Sequence, residues 1–126
     1  MQFKTIKMNQ NSNKDEECIS FEEFSKIEIK VGKITKIENI PRKDRVYLAE
    51  VDIGSEIRQV IVGAALYYSA EELVDRIVIV CTNLCPKKVG NINSNGMILA
   101  AEGHGGKPVF LTIDGNNECE VGSTIH

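Results

Sequence analysis

Asn83-Leu84-Cys85-Pro86-Lys87-Lys88, then Val89-Gly90, then Ser94-Asn95-Gly96-Met97-Ile98-Leu99-Ala100-Ala101, carries the residues of this chain best placed to do chemistry. Two adjacent lysines follow a proline stop, and a polar, glycine-containing turn leads into an apolar run. Ammonium groups and small hydrogen-bonding groups on a rigid turn at a sheet edge suit a phosphate backbone. No nucleophile stands with a base and an orienting group in the pattern that covalent or general acid–base catalysis needs. His104, in the loop Gly103-His104-Gly105-Gly106, has no paired acid or serine of matching context and reads as solvent-exposed. The segment reads as a binding surface, and no catalytic residue is predicted.

The cysteines do not change that reading. Cys81 and Cys85 form one close pair, while Cys18, Cys119, His104 and His126 stand apart. A structural zinc site wants four ligands, usually as two close pairs, and only one pair exists. Cys81 ends an apolar run, where a small buried thiol is ordinary. Reduced, inert thiols are expected, with no metal and no cofactor.

The chain has 126 residues and reads as one domain with a single core. The N-terminus Met1-Gln2-Phe3-Lys4-Thr5-Ile6-Lys7 lacks the apolar run of a secretory signal, and no stretch approaches the roughly 20 apolar residues of a membrane span. A cytoplasmic protein away from membranes is expected. The net charge of −3 argues against indiscriminate nucleic-acid binding, but the charges are segregated. Lys26, Lys30, Lys33, Lys36, Arg42, Lys43 and Arg45 face only Glu28, Glu38 and Asp44 in the same stretch. Between Arg76 and Lys107 the only acid is Glu102. A basic face on an acidic protein is therefore permitted.

The elements that must position these residues are mostly strands. Residues 1–18 are polar and aperiodic and read as a flexible lead, leaving 19–126 as the folded domain. Ser20-Phe21-Glu22-Glu23 and Ser69-Ala70-Glu71-Glu72 fit capping boxes, each opening a short helix, the second ending near Val74. Alternation over Ile27 to Val31 changes phase at Gly32, which predicts one long first strand, bulged or sharply coiled there and serving two sides of a small barrel. Val46, Leu48, Val51 and Ile53 predict a second strand with a phase shift near Ala49, and Ile57 to Val62 a third, in an antiparallel meander. Ile77 to Cys81 is a β-branched run typical of a strand buried on both faces. Met97 to Ala101 and Val109 to Ile113 complete the set. This order predicts an all-β fold, a five-stranded oligonucleotide-binding (OB) barrel. A short N-terminal helix, a short helix between strands 3 and 4 and appended C-terminal strands complete it.

From Phe21 to about Ile125 the chain resembles the stand-alone tRNA-binding OB domain related to the C-terminal appendage of methionyl-tRNA synthetases. The matching stations are Lys30-Val31-Gly32-Lys33-Ile34, Arg42-Lys43-Asp44-Arg45, Arg58-Gln59-Val60-Ile61-Val62-Gly63, Tyr67-Tyr68, Glu71-Glu72-Leu73-Val74 and Asn83 to Ala101. The chain departs from the family with Lys30 for the usual arginine, Cys85 for a lysine, and Asn93 for glutamate or lysine. The resemblance implies a non-catalytic grip on the outer corner of tRNA, by shape and backbone rather than base sequence. It implies phosphate contacts from Asn83, Lys87 and Lys88, a close-approach part formed by Ser94, Gly96 and Met97, and an extension by Lys33, with Lys30 and Arg42 as further backbone contacts. It also implies service to an aminoacyl-tRNA synthetase, the methionyl enzyme foremost, or action as a free accessory. A homodimer follows from the same resemblance, with Phe21, Phe24, Val121 and Ile125 as apolar contributors. Two rivals share the fold: a chaperone binding unfolded polypeptides, and a general single-stranded nucleic-acid binder. The second would want exposed aromatic platforms, and this chain has few.

Overall fold

The computed structural model describes residues 17–115 and 117–126, so the flexible lead expected at the N-terminus lies almost wholly outside them. Both capping boxes form. The Ser20 hydroxyl accepts from the Glu23 amide at 3.0 Å while the Glu23 carboxylate accepts from the Ser20 amide at 3.2 Å, opening α1 (Phe21–Phe24). Ser69 and Glu72 repeat the arrangement at α2 (Ala70–Leu73), which is anchored by the buried Leu73. The Ser69 amide holds the Glu72 carboxyl below its ordinary pKa. Each helix is a single turn that could not persist alone, so packing and caps maintain it.

The strands are β1 (Ile29–Ile40), β2 (Lys43–Asp52), β3 (Ile57–Val62), β4 (Ile77–Cys81), β5 (Lys87–Val89), β6 (Ile92–Ser94), β7 (Met97–Ile98), β8 (Ala100–Glu102), β9 (Pro108–Phe110) and β10 (Thr124–Ile125). The main sheet runs β3-β2-β1-β4-β7, with β10 also on β1, and its pairings are antiparallel. The long first strand serves two sides as expected: its first half pairs with β4 and its second half with β2. β8 and β9 form the appended hairpin around the 3₁₀ turn His104–Gly106.

Three expectations need correction. The buried face of β1 does change at Gly32, from Val31 to Gly32 and Ile34, but there is no bulge there; the register shifts lie between Ile34 and Lys36 and between Asn39 and Ile40. Gly32 is there for space, because a Cβ would lie 2.9 Å from Val80 Cγ2 and 3.0 Å from Val51 Cγ1. β2 keeps a regular alternation with Tyr47, Ala49 and Val51 buried, so Ala49 is a core position and not the site of a shift. The fold is OB-like, but β3 and β7 are not joined by a ladder that would close the cylinder. Instead the Asn95 amide donates to the Gln59 carbonyl at 2.8 Å, and the Ile61 amide donates to the Ser94 hydroxyl at 3.0 Å.

Inside the curl, Ile34, Val51, Val60, Val78, Val80 and Leu73 are fully buried and form the centre of the core. Among the described residues no helix is long and apolar enough to cross a membrane. In an open strand, replacing glycine by alanine is favourable by about 0.5–1 kcal/mol. Here the Cβ would overpack Val51 and Val80, and Gly32→Ala is expected to destabilise by about 1–3 kcal/mol in urea unfolding. Val80→Ala in that background should cost less than Val80→Ala alone; strictly additive costs would mean the glycine is not there for room.

Candidate nucleic-acid interface

The site is built where β4 ends. Thr82 is buried, its hydroxyl donating to the Glu28 carboxylate at 2.6 Å and its amide to the Glu28 carbonyl at 2.9 Å. The Asn83 side chain accepts from the Glu28 amide at 2.8 Å and donates to the Lys26 carbonyl at 2.6 Å. The asparagine expected to touch phosphate thus staples the end of β4 to the segment entering β1.

Beyond it the chain leaves the sheet as the β5–β6 ribbon, with Lys87 opposite Ser94, Lys88 opposite Asn93 and Val89 opposite Ile92. Gly90 turns it with a φ of 63°, a left-handed conformation that favours glycine. The sequence reads this stretch as a turn; it is a hairpin, and that changes the geometry of its lysines. Neighbours in a strand point to opposite faces, so Lys87 shares a face with Ser94 and Lys88 shares the other with Asn93. Both are exposed, and neither has an ion-pair partner among the described residues.

Several other cations are engaged. Lys33 Nζ lies 4.0 Å from Asp75, and Lys36 bonds Glu38 at 2.7 Å, a contact that raises the pKa of the lysine. Arg76 and Lys107 lie 5.1 Å and 5.0 Å from the centre of the Tyr68 ring. Lys87 and Lys88 are exposed without an ion-pair partner among the described residues on a chain of net charge −3, as are Arg42, Lys43 and Arg45 at the β1–β2 turn.

The trio expected to form a close-approach surface divides into three environments. Ser94 is 8% exposed and spends its hydroxyl as acceptor at the β3 seam. Gly96, with a φ of 140°, is required by the chain itself, since a Cβ would lie 3.2 Å from the Cys81 carbonyl oxygen. Met97 is 47% exposed and lines an apolar groove with Ile27, Ile29, Leu84 and Leu99. All three lie in the limb returning from the ribbon to β4. Lys33 does not join them: it pairs with Ile77 while Ile29 pairs with Cys81, four residues and about 13 Å along β1. Lys30 lies half-buried between Val80 and Thr124, and Arg42 is exposed in the β1–β2 turn with a φ of 68°. Of the apolar residues expected at an interface, Phe21, Phe24 and Ile125 line one groove, whereas Val121 sits beside Gly54 and Gly122.

Arg58 is the residue that the sequence reading passed over as a component of the site. Its signal is phase: it alternates with the buried Val60 and Val62 and faces Val51 across the ladder, an inward position for a charged residue.

A family model described as "Putative tRNA binding domain" matches residues 29–123. The methionine–tRNA ligase of Pyrococcus furiosus is 42% identical over 107 residues, covering 85% of this chain and 14% of that protein. That of Pyrococcus abyssi is 40% identical over 123 residues, covering 98% of this chain and 17% of the ligase. The chain thus spans well under a fifth of the length of these curated relatives. Among solved structures, a MetRS-related protein from Pyrococcus horikoshii superposes with a TM-score of 0.79 at 34% identity, covering 87% of this chain and 99% of that one. The CsaA chaperone protein of Picrophilus torridus gives 0.77 at 27% identity, covering 86% and 100%.

Removing the Asn83 staple tests its structural part. Two hydrogen bonds of ordinary worth predict that Asn83→Ala lowers the unfolding free energy by about 1–3 kcal/mol and accelerates exchange of the Glu28 amide. Unchanged stability and exchange would return Asn83 to the pool of free surface donors.

Proposed function

The chain belongs to the tRNA-binding domain family, and on that premise we propose that it is a non-catalytic module that grips the outer corner of folded tRNA by shape and backbone. The observation that carries the reading is the β5–β6 ribbon, which projects Lys87 and Lys88 on opposite faces without acidic partners among the described residues. Lysine is a mobile point charge and suits phosphates, and a ribbon with one cation on each face can sit between two stretches of backbone. Lys33, Lys30 and Arg42 extend the contact across the sheet. Asn83, Ser94 and Gly96 serve by fixing the two limbs of the ribbon, and Met97 offers its exposed face beside them. The site requires no metal or cofactor.

The module serves an aminoacyl-tRNA synthetase in the cytoplasm, the methionyl enzyme foremost, or acts as a free tRNA-binding accessory. Holding one corner of the tRNA raises its effective concentration near a catalytic partner, so even a modest affinity is useful. The chain pairs with a second copy through Phe21, Phe24 and Ile125, where Phe21 is 82% exposed, with Val121 on the flank. A second reading, binding of unfolded polypeptide, is favoured by one observation: the apolar groove of Ile27, Ile29, Leu84, Met97 and Leu99, on a fold similar to the CsaA chaperone protein.

Competition binding decides between them. Labelled folded tRNA should be displaced by unlabelled folded tRNA, and far less by denatured tRNA or an unfolded polypeptide, with affinity falling as salt rises. Lys87→Glu combined with Lys88→Glu should weaken binding at least tenfold with an unchanged circular dichroism spectrum. Full affinity in that variant removes the ribbon from the site, and stronger displacement by unfolded polypeptide selects the second reading.

A further inference from the structure

Arg58 lies at the two roots of the lysine ribbon. Its Nη1 donates to the carbonyl oxygen of Thr82 at 2.6 Å and to that of Asn95 at 3.4 Å. Thr82 is where the chain departs from β4, and Asn95 is where it returns to β7. Nη2 bonds the Glu56 carboxylate at 2.9 Å, which fixes the plane of the guanidinium. The side chain is 16% exposed against 52% for Glu56, so its charge points into the molecule and is not offered to a ligand.

The ribbon needs such a support. Its own ladder has three residue pairs, and an isolated two-stranded hairpin is marginal in water. The return limb is held to β3 by the Ser94 hydroxyl and the Asn95 amide. The outgoing limb is held to the segment before β1 by Thr82 and Asn83. These are separate anchorages; below them β4 and β7 pair at Cys81 and Met97, and beyond that ladder the Arg58 guanidinium bonds both roots directly. The arrangement has a cost: among the described residues, Nε is buried without a hydrogen-bond partner. A valine in phase with Val60 and Val62 would fill the position without that cost, but it would leave both carbonyls without this donor.

We propose that Arg58 is a positioning residue for tRNA docking, a clamp that sets the angle at which the ribbon presents Lys87 and Lys88 without itself touching the ligand. The proposal rests on the reading that the ribbon is the docking element. The planar fork lets Nη1 serve both carbonyls while Nη2 is held by Glu56; a lysine ammonium is a single rotatable point without that second tine, so it would lose the fixed orientation.

The test combines hydrogen exchange with salt-dependent tRNA binding on Arg58→Gln, Arg58→Lys and the double variant Lys87→Gln with Lys88→Gln. Arg58→Gln should accelerate exchange at least tenfold at the amides of residues 87–94 while those of β1 and β2 keep their protection. It should bind folded tRNA at least fivefold more weakly. The slope of log affinity against log salt should become shallower by about 1.5, the contribution of two phosphate contacts, and match the double lysine variant. Adding Arg58→Gln to that double variant should then change affinity little. Arg58→Lys should fall between Arg58→Gln and the parent, and it replaces the glutamine variant if the latter does not fold. Unchanged exchange across 87–94 overturns the clamp whatever the tRNA result. Equally, the proposal fails if the lysine variant weakens binding and the Arg58 variants do not. If no variant changes affinity, the docking reading falls while the exchange result still decides whether Arg58 holds the ribbon.

Discussion

A curled sheet whose two edges do not meet in a ladder must satisfy those edges by other means. In this protein, the groups that do so also fix the candidate interface. β3 and β7 come together without pairing, and the backbone of β3 at Gln59 and Ile61 would otherwise present an open edge. Ser94 and Asn95 cap it from the return limb of the lysine ribbon. The ribbon is consequently a part of the closure of the fold, bent outward at a place where its two roots are bonded to the body. Small polar residues around Gly96 are needed for this before any ligand is considered.

Charge arrangement explains how an acidic chain can still offer a place for a polyanion. Lys33 and Lys36 have acidic neighbours, and Arg76 and Lys107 lie against the Tyr68 ring. Exposed ion pairs of this kind contribute little to stability, but they reduce the outward field of the cations they involve. The exposed ribbon lysines are not paired in this way among the described residues, nor are Arg42, Lys43 and Arg45. A net charge of −3 then disfavours general adhesion to nucleic acid and leaves local groups of exposed cations as the places where a polyanion could be held.

Much of the architecture was legible in the sequence because the signals were local. Capping boxes at Ser20 and Ser69, the β-branched run Ile77 to Cys81 and the bounds Ile57–Val62 each follow from neighbouring residues alone. The long β1 was legible, but the reason for Gly32 was not: its need for space is set by Val51 and Val80, which are distant in sequence. The candidate site was legible as a segment, and its strand pairing was not. Lys87 and Lys88 look like one doubled charge in sequence, and strand pairing sends them to opposite faces. Asn83 and Ser94 look like free donors because their partners, Lys26, Glu28 and Ile61, lie 57, 55 and 33 positions away. No pattern of the residues themselves reveals such pairings; Arg58 alone left a trace, a charge in the phase of buried valines.

The same staples make two surfaces share one foundation. Asn83 bonds Lys26 and Glu28, which follow α1 and its exposed Phe21 and Phe24, while Arg58 bonds Thr82 beside it. The apolar groove holding Ile27, Leu84 and Met97 lies over that junction, with residues from both the segment before β1 and the roots of the ribbon. Covering the groove would restrain Ile27, Leu84 and Met97 together, and the ribbon roots with them. A partner on the apolar side and a polyanion on the lysines would thus act on the same few hydrogen bonds. Ordering by one would lessen the conformational entropy left for the other to remove, and the end of β4 is where the two would meet.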